Sequence, residues 1–224
     1  MLKKEKRNKI TKKSQLIIVG SLLLLLGIGI ITNKIIVIIN QNEIEKESLD
    51  NFYKEQEIIE EIISNEPIEE ATEKIEEITE KKEVNKITYQ YIAVLKIPKI
   101  NLERGLVSKD CIYNNVEKNI QILKESDMPD IVNGNLILAA HSGSGKNAYF
   151  RDVYKLSIND IVGVVYNGFE YKYKVVNIYD IEKTGTAHII RNQNKTTLTL
   201  ITCRNNTEKQ IIVICELIEG GYNE

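Results

Sequence analysis

Hydrophobic positions fall along this chain in three rhythms, and each predicts a different kind of element. Residues 16–31 are uncharged and aliphatic apart from glycines and Ser21; after Thr32-Asn33-Lys34 the apolar run resumes over 35–39. As a helix, 16–39 reaches roughly 36 Å, enough to cross a hydrocarbon core of about 30 Å with some tilt. Lys34 lies near one end of it, where a long side chain snorkels to the interface. Residues 41–87 are dominated by Glu and Ile. Their apolar positions include Leu49, Phe52, Ile59, Ile62 and Ile63, then Ile68, Ala71, Ile75 and Ile78 at helical steps of three and four. Pro67 suits the first turn of a second helix. From residue 88 the rhythm shortens, with strand-like runs at 91–97, 135–140, 161–166, 171–178, 197–202 and 210–217. Asn133-Gly134, Asn167-Gly168, Thr184-Gly185 and Asn205-Asn206 punctuate them. Many short strands broken by such turns predict an all-β barrel or sandwich. Only 108–119 and a turn near 147–156 read as helical.

Charge turns this pattern into a topology. The formal net charge of −2 hides a net +7 over residues 1–40, −12 over 41–80 and +3 beyond. Basic residues before the apolar run and acidic ones after it predict a cytoplasmic N-terminus and an external remainder by the positive-inside rule. The run is long for a cleaved signal peptide, and no Ala-x-Ala-like site follows it. The expected organisation is a cytoplasmic basic tail (1–15), a single-pass membrane anchor (16–39), an acidic helical spacer (40–87) and a folded domain (88–224). The heptads in the spacer are too few to argue for a coiled-coil stalk. No stretch of the folded part is basic enough, or interleaved with enough aromatics, for nucleic-acid binding.

The candidate chemistry sits where two strands stop. In Thr197-Leu198-Thr199-Leu200-Ile201-Thr202, Thr and apolar residues alternate at period two, and Cys203 ends the strand before the polar turn Arg204-Asn205-Asn206-Thr207. The run 136–140 is likewise apolar and ends on His141, which opens the loop Ser142-Gly143-Ser144-Gly145. A side chain at a strand end is both held and reachable. A free cysteine thiol is only a few per cent thiolate at neutral pH, and a neighbouring imidazolium raises that share. The chain has three cysteines. Cys215 alternates with Ile211, Val213 and Leu217 and reads as a core thiol; a Cys111–Cys215 disulfide is allowed but not demanded by the spacing. The other histidine, His188, reads as a loop residue. Gly143-Ser144-Gly145-Lys146 lacks the upstream glycine and following Ser/Thr of a phosphate-binding loop. No His/Cys/Asp cluster has metal-ligand spacing, so neither metal nor cofactor is expected.

Thr199-Leu200-Ile201-Thr202-Cys203 resembles the signature around the nucleophilic cysteine of sortases. A histidine ending an apolar strand 62 positions earlier resembles the family's other catalytic residue, and Ile97-Pro98-Lys99-Ile100 its first-strand segment. The resemblance covers roughly residues 88–218. It implies a closed barrel of about eight strands with short helices. It also implies a cysteine transpeptidase: Cys203 attacks a backbone carbonyl, His141 protonates the leaving amine, and an incoming amine resolves the thioester. The implied partners are secreted proteins with a C-terminal sorting signal and a cell-wall or pilin amine acceptor. One element of the family pattern is missing. Members usually carry an arginine on the strand after the cysteine; here that region reads Glu208-Lys209-Gln210-Ile211. The candidates for stabilising the oxyanion are, in order, Gln210, Arg204 and Lys209. No Asp-Pro pair of the kind found in some pilin-sortase lids occurs, so no lid is expected. Two other readings make different predictions. A non-enzymatic envelope protein acting through its stalk would tolerate loss of Cys203, and a hydrolase of the same fold would ignore an added amine.

Overall fold

The computed structural model describes residues 12–65 and 89–220. The first element, α1 (Lys12–Asn65), is one unbroken helix of 54 residues. The membrane run and the first half of the acidic segment therefore share one helix. Among the described residues this is the one helix long and apolar enough to cross a membrane, and its apolar residues 16–39 are exposed. The second predicted spacer helix, after Pro67, falls outside the described residues.

The chain divides into two compact units, residues 1–45 and 46–224. In the second, eight strands form one sheet: β1 (Tyr91–Ile97), β2 (Leu102–Val107), β3 (Gln121–Ile122), β4 (Asn135–Ala139), β5 (Ile161–Tyr166), β6 (Phe169–Glu182), β7 (Thr197–Cys203) and β8 (Lys209–Glu219). The spatial order is β2-β1-β5-β6-β8-β7-β4-β3, a nearly closed barrel. The pairings are antiparallel except β4 with β7. β5 and β6 are joined by Asn167-Gly168, both at positive φ, the two-residue hairpin turn that Asn-Gly favours. The strands predicted at 91–97 and 161–166 match β1 and β5, and the other four predicted runs all fall on strands.

β2 and β3 are the two strands the pattern did not predict, and their edges face the opening of the barrel. Side chains close this seam where a ladder does not. Arg104 Nε donates to Asn119 Oδ1 at 2.8 Å, and Asn119 Nδ2 donates to the Gly105 carbonyl at 3.0 Å. Both side chains are buried, and the guanidinium lies over the Tyr149 ring. The 108–119 stretch is a series of turns, not the predicted helix. Its asparagines divert the backbone: Asn114 bonds the Ile122 N–H and the Lys109 and Ile122 carbonyls, and Asn115 bonds the Glu117 N–H.

The barrel interior is filled from every wall, with Leu95, Leu138, Phe150, Tyr173, Leu200 and Val213 all at 0 % exposure. A second apolar cluster lies on the outside, where Phe52 of α1 packs on Tyr91, Val94, Val107 and Val165. Polar contacts accompany it: Ser48 Oγ accepts the Tyr89 N–H, Gln56 Oε1 accepts the Gly168 N–H, and the Tyr53 hydroxyl donates to Glu103. Residues 48–56, read from sequence as spacer, thus also cover one wall of the sheet. A third cluster, Ile137, Ile201, Ile212 and Ile214, covers the outer face of β4, β7 and β8 beneath Ala187 and Ile189 of the β6–β7 connection.

Candidate active site

The parallel pairing of β4 and β7 decides where residues 141 and 203 emerge. Both strands run toward the same edge, with Asn135 opposite Thr197 and Ala139 opposite Ile201, a constant offset of 62 residues. Side chains pin that register at both ends. Asn135 Oδ1 accepts the hydroxyls of Thr197 at 3.0 Å and Thr199 at 2.9 Å, all three buried. At the other end Thr202 Oγ1 donates to the Ala140 carbonyl at 2.7 Å, and the Ala140 N–H reaches the Ile201 carbonyl at 3.3 Å. A slip by one residue would break these bonds and turn the apolar set to the wrong face. Continued by two positions, the same offset sets His141 opposite Cys203. Strands so paired lie about 5 Å apart, and partners in register share a face. Ile137 and Ile201 define that face as the outer one.

Cys203 is half-buried and borders a cleft of about 320 Å³ with Ser142, Phe150, Arg151, Tyr154 and Arg204. The loop after His141 is held from several sides. The His141 carbonyl accepts the Phe150 N–H at 3.0 Å, and Arg151 donates to the carbonyls of Gly143 and Gly145. The Ser142 hydroxyl donates to Asn205 Oδ1 at 3.1 Å, tying this loop to the turn after Cys203. The His141 ring is hydrogen-bonded to Glu117, not to Cys203: Nε2 lies 3.0 Å from Glu117 Oε1.

A sequence-family model of the sortase domain matches residues 95–218, more than half of the chain. The chain belongs to the sortase family. No curated protein sequence gives a significant match. Among solved structures, a sortase D5 transpeptidase of Clostridium perfringens is 24% identical with a TM-score of 0.56, the match covering 79% of this chain and 99% of that one. A lid mutant of sortase A from Corynebacterium diphtheriae is 21% identical (TM-score 0.51, 58% of this chain, 70% of that one). Sortase C1 of Streptococcus agalactiae is 22% identical (TM-score 0.50, 61% and 71%). At such identities these likenesses speak to the fold alone. Sortases are cysteine transpeptidases that act on proteins and are anchored to membranes, and the apolar half of α1 is long enough for such an anchor.

The three oxyanion candidates of this sortase occupy different surroundings. Gln210 is the register partner of Cys203 across β7 and β8, in the series that pairs Ile201 with Ile212, so it shares the face on which Cys203 sits. Arg204 turns to Asp180, with Nε and Nη2 at 2.9 and 2.8 Å from one carboxylate oxygen. Lys209 lies 3.9 Å from Glu182. His188 is exposed in the β6–β7 connection, where its carbonyl accepts the Tyr179 hydroxyl. All three cysteines are free thiols, so the disulfide allowed by the spacing does not form. Cys215 has no exposed surface, and burial pushes its thiol well above the usual range. Among the described residues no three His, Cys, Asp or Glu side chains gather as metal ligands. The contact that sequence reasoning missed is Glu117, which stands 24 positions before His141 in a segment read as helix.

Proposed function

We propose that Cys203 is the nucleophile and His141 the general acid and base of a membrane-anchored transpeptidase. Its substrates are secreted proteins with a C-terminal sorting signal, and its acceptor is a cell-wall or pilin amine. The observation that carries this reading is the pinned parallel register, whose offset of 62 residues brings the ends of β4 and β7 out side by side. The Cys203 thiolate adds to the scissile carbonyl, the carbonyl electron pair moves onto oxygen, and collapse of the intermediate breaks the C–N bond. The leaving amine takes its proton from the His141 imidazolium, and a thioester remains on Cys203. The acceptor amine then adds to the thioester, gives a proton to His141 and displaces the thiolate. Atoms and charges return to their starting state with one amide exchanged for another.

The oxyanion of each addition takes a hydrogen bond from the Gln210 amide, assisted by backbone N–H groups. Gln210 ranks first because it is the residue across from Cys203, whereas Arg204 is engaged by Asp180. A neutral donor stabilises an oxyanion less than an arginine fork, so either the backbone N–H groups make up the difference or turnover is slow. The organisation that serves the reaction is a cytoplasmic tail (1–15), an anchor (16–39), a helical spacer (40–87) and an external catalytic domain (88–224). The test uses the full-length chain in detergent with a library of peptides carrying C-terminal sorting-type sequences, with and without hydroxylamine. Expected are a peptide thioester on Cys203 and an amine-dependent shift from acid to hydroxamate product. No adduct, or a product mixture that ignores the amine, would overturn the reading.

A further inference from the structure

We infer that Glu117 is a positioning residue for His141, an inference that rests on the assignment of His141 as the acid and base. Among the described residues the Glu117 carboxylate is the one side-chain partner of the His141 ring, on Nε2 at 3.0 Å. With Nε2 donating to a carboxylate, Nδ1 is left as the basic nitrogen, available to the neighbouring strand end. The pair is open to water, with side chains 43% and 78% exposed. Two freely moving side chains in that setting would hold each other weakly. The bonds made by the Glu117 backbone limit that freedom by fixing the point from which its side chain reaches the ring.

The turn that carries Glu117 is fastened on three sides. Asn115 Oδ1 accepts the Glu117 N–H at 3.0 Å, and the Asn115 carbonyl accepts the N–H of Asn119 at 2.9 Å. Asn119 is in turn buried in the barrel seam by its bonds to Arg104 and Gly105. On the third side, Asn147 Nδ2 donates to the Glu117 carbonyl. Asn147 belongs to the loop that begins at His141, so Glu117 holds that loop at two points: its carboxylate at the ring, its carbonyl at Asn147. A ring held at its outer nitrogen by an anchored acceptor loses rotational freedom without moving toward the acceptor. In its neutral form it is also held in one tautomer, with Nδ1 the nitrogen that takes up the proton. The arrangement places an acid behind the histidine in a sortase that lacks the usual arginine on the strand after the cysteine.

The experiment compares Glu117→Ala and Glu117→Gln with the parent chain, full length in detergent. Kinetics use the best peptide from the library with hydroxylamine as acceptor, and Cys203 alkylation by iodoacetamide is followed by mass spectrometry without peptide. Labelling histidine with ¹⁵N gives two imidazoles to assign, since the chain has two histidines; His188→Gln identifies His141. Glu117→Ala is expected to lower kcat by about tenfold, a part of what general acid–base catalysis supplies, with KM little changed. The His141 Nε2–H resonance is expected to be seen in the parent chain and to be lost to solvent exchange in Glu117→Ala. Glu117→Gln keeps an acceptor oxygen and is expected to restore both the resonance and most of kcat. Cys203 alkylation is expected to slow in Glu117→Ala. Unchanged kcat, alkylation and resonance in Glu117→Ala overturn the positioning role. If His141→Ala retains transfer, the transpeptidase assignment itself falls, a result distinct from any behaviour of Glu117.

Discussion

Cys203 and Cys215 carry the same thiol on adjoining strands, yet their surroundings are opposite. Cys215 sits in the interior of β8, opposite Leu198 in register and enclosed with Ile211 and Val213, with no surface open to water. Burial there disfavours the thiolate, so the group behaves as a small hydrophobe. Cys203 lies at the end of β7, on the other face, beside a cleft and next to the loop that carries His141. Residue type and strand propensity are shared by the two positions. What separates them is the face they occupy and the point at which the strand stops. Chemistry is available where a rigid strand delivers a side chain to its edge, and withheld where the strand continues.

The largest effect that breaks or upholds this contrast is on turnover. Cys203→Ala and His141→Ala are expected to lower transfer by at least about 10³-fold in the peptide assay. Cys215→Ala is expected to leave the rate within about twofold, since its sulfur meets neither solvent nor substrate. Next in size is the proposed oxyanion partner: Gln210→Ala should cost about 10²-fold in kcat, in line with loss of one preorganised donor. Arg204→Ala and Lys209→Ala should each cost less than about tenfold, because Asp180 and Glu182 already engage those cations. If Arg204→Ala is the more damaging, the cross-strand argument for Gln210 fails.

A smaller effect concerns pH. Burial raises the Cys215 thiol above its unfolded value, so the unfolded chain releases that proton first as pH climbs. Its contribution to stability is therefore complete below the unfolded value and lost above it, up to the raised folded one. Tyr91 and Tyr173 are raised by burial as well and act in the same direction. The unfolding free energy from denaturant titrations is expected to fall from about pH 9 upward, by at most about 1.4 kcal/mol per pH unit per group, and the midpoint with it. Cys215→Ala should flatten the beginning of that fall and leave the tyrosine part. A wild-type midpoint constant from pH 8 to 11 would contradict the burial assigned to these residues.

The strands most easily read from sequence were those whose apolar residues alternate or run together without interruption, as in β1, β5 and β7. β2 stayed hidden because it holds Arg104 and Gly105, a charge and a helix-and-strand breaker by local rules. The structure supplies the reasons. Arg104 closes the seam through Asn119, and a Cβ on Gly105 would lie 2.2 Å from the Tyr91 ring, so only glycine lets that ring cross the strand. β3 has two residues, too few for any period. The helix expected at 108–119 does not form because the asparagine side chains there bond the backbone into turns. Phe52 reads as one apolar position in an acidic segment; its partners come from β1, β2 and β5, far along the chain. The placement of Cys203 and His141 at strand ends was legible because each terminates its own pattern. The Glu117 contact was not, because it depends on a turn whose anchors are tertiary.

The pairing of Cys203 with His141 is tested most directly by trapping the acyl-enzyme. Full-length chain is incubated with the peptide library, quenched in acid and digested, and the modified residue is located by tandem mass spectrometry. The account predicts a peptide thioester on Cys203 that disappears in His141→Ala. An adduct on Cys111 or Cys215, or one on Cys203 that forms equally fast without His141, would contradict it.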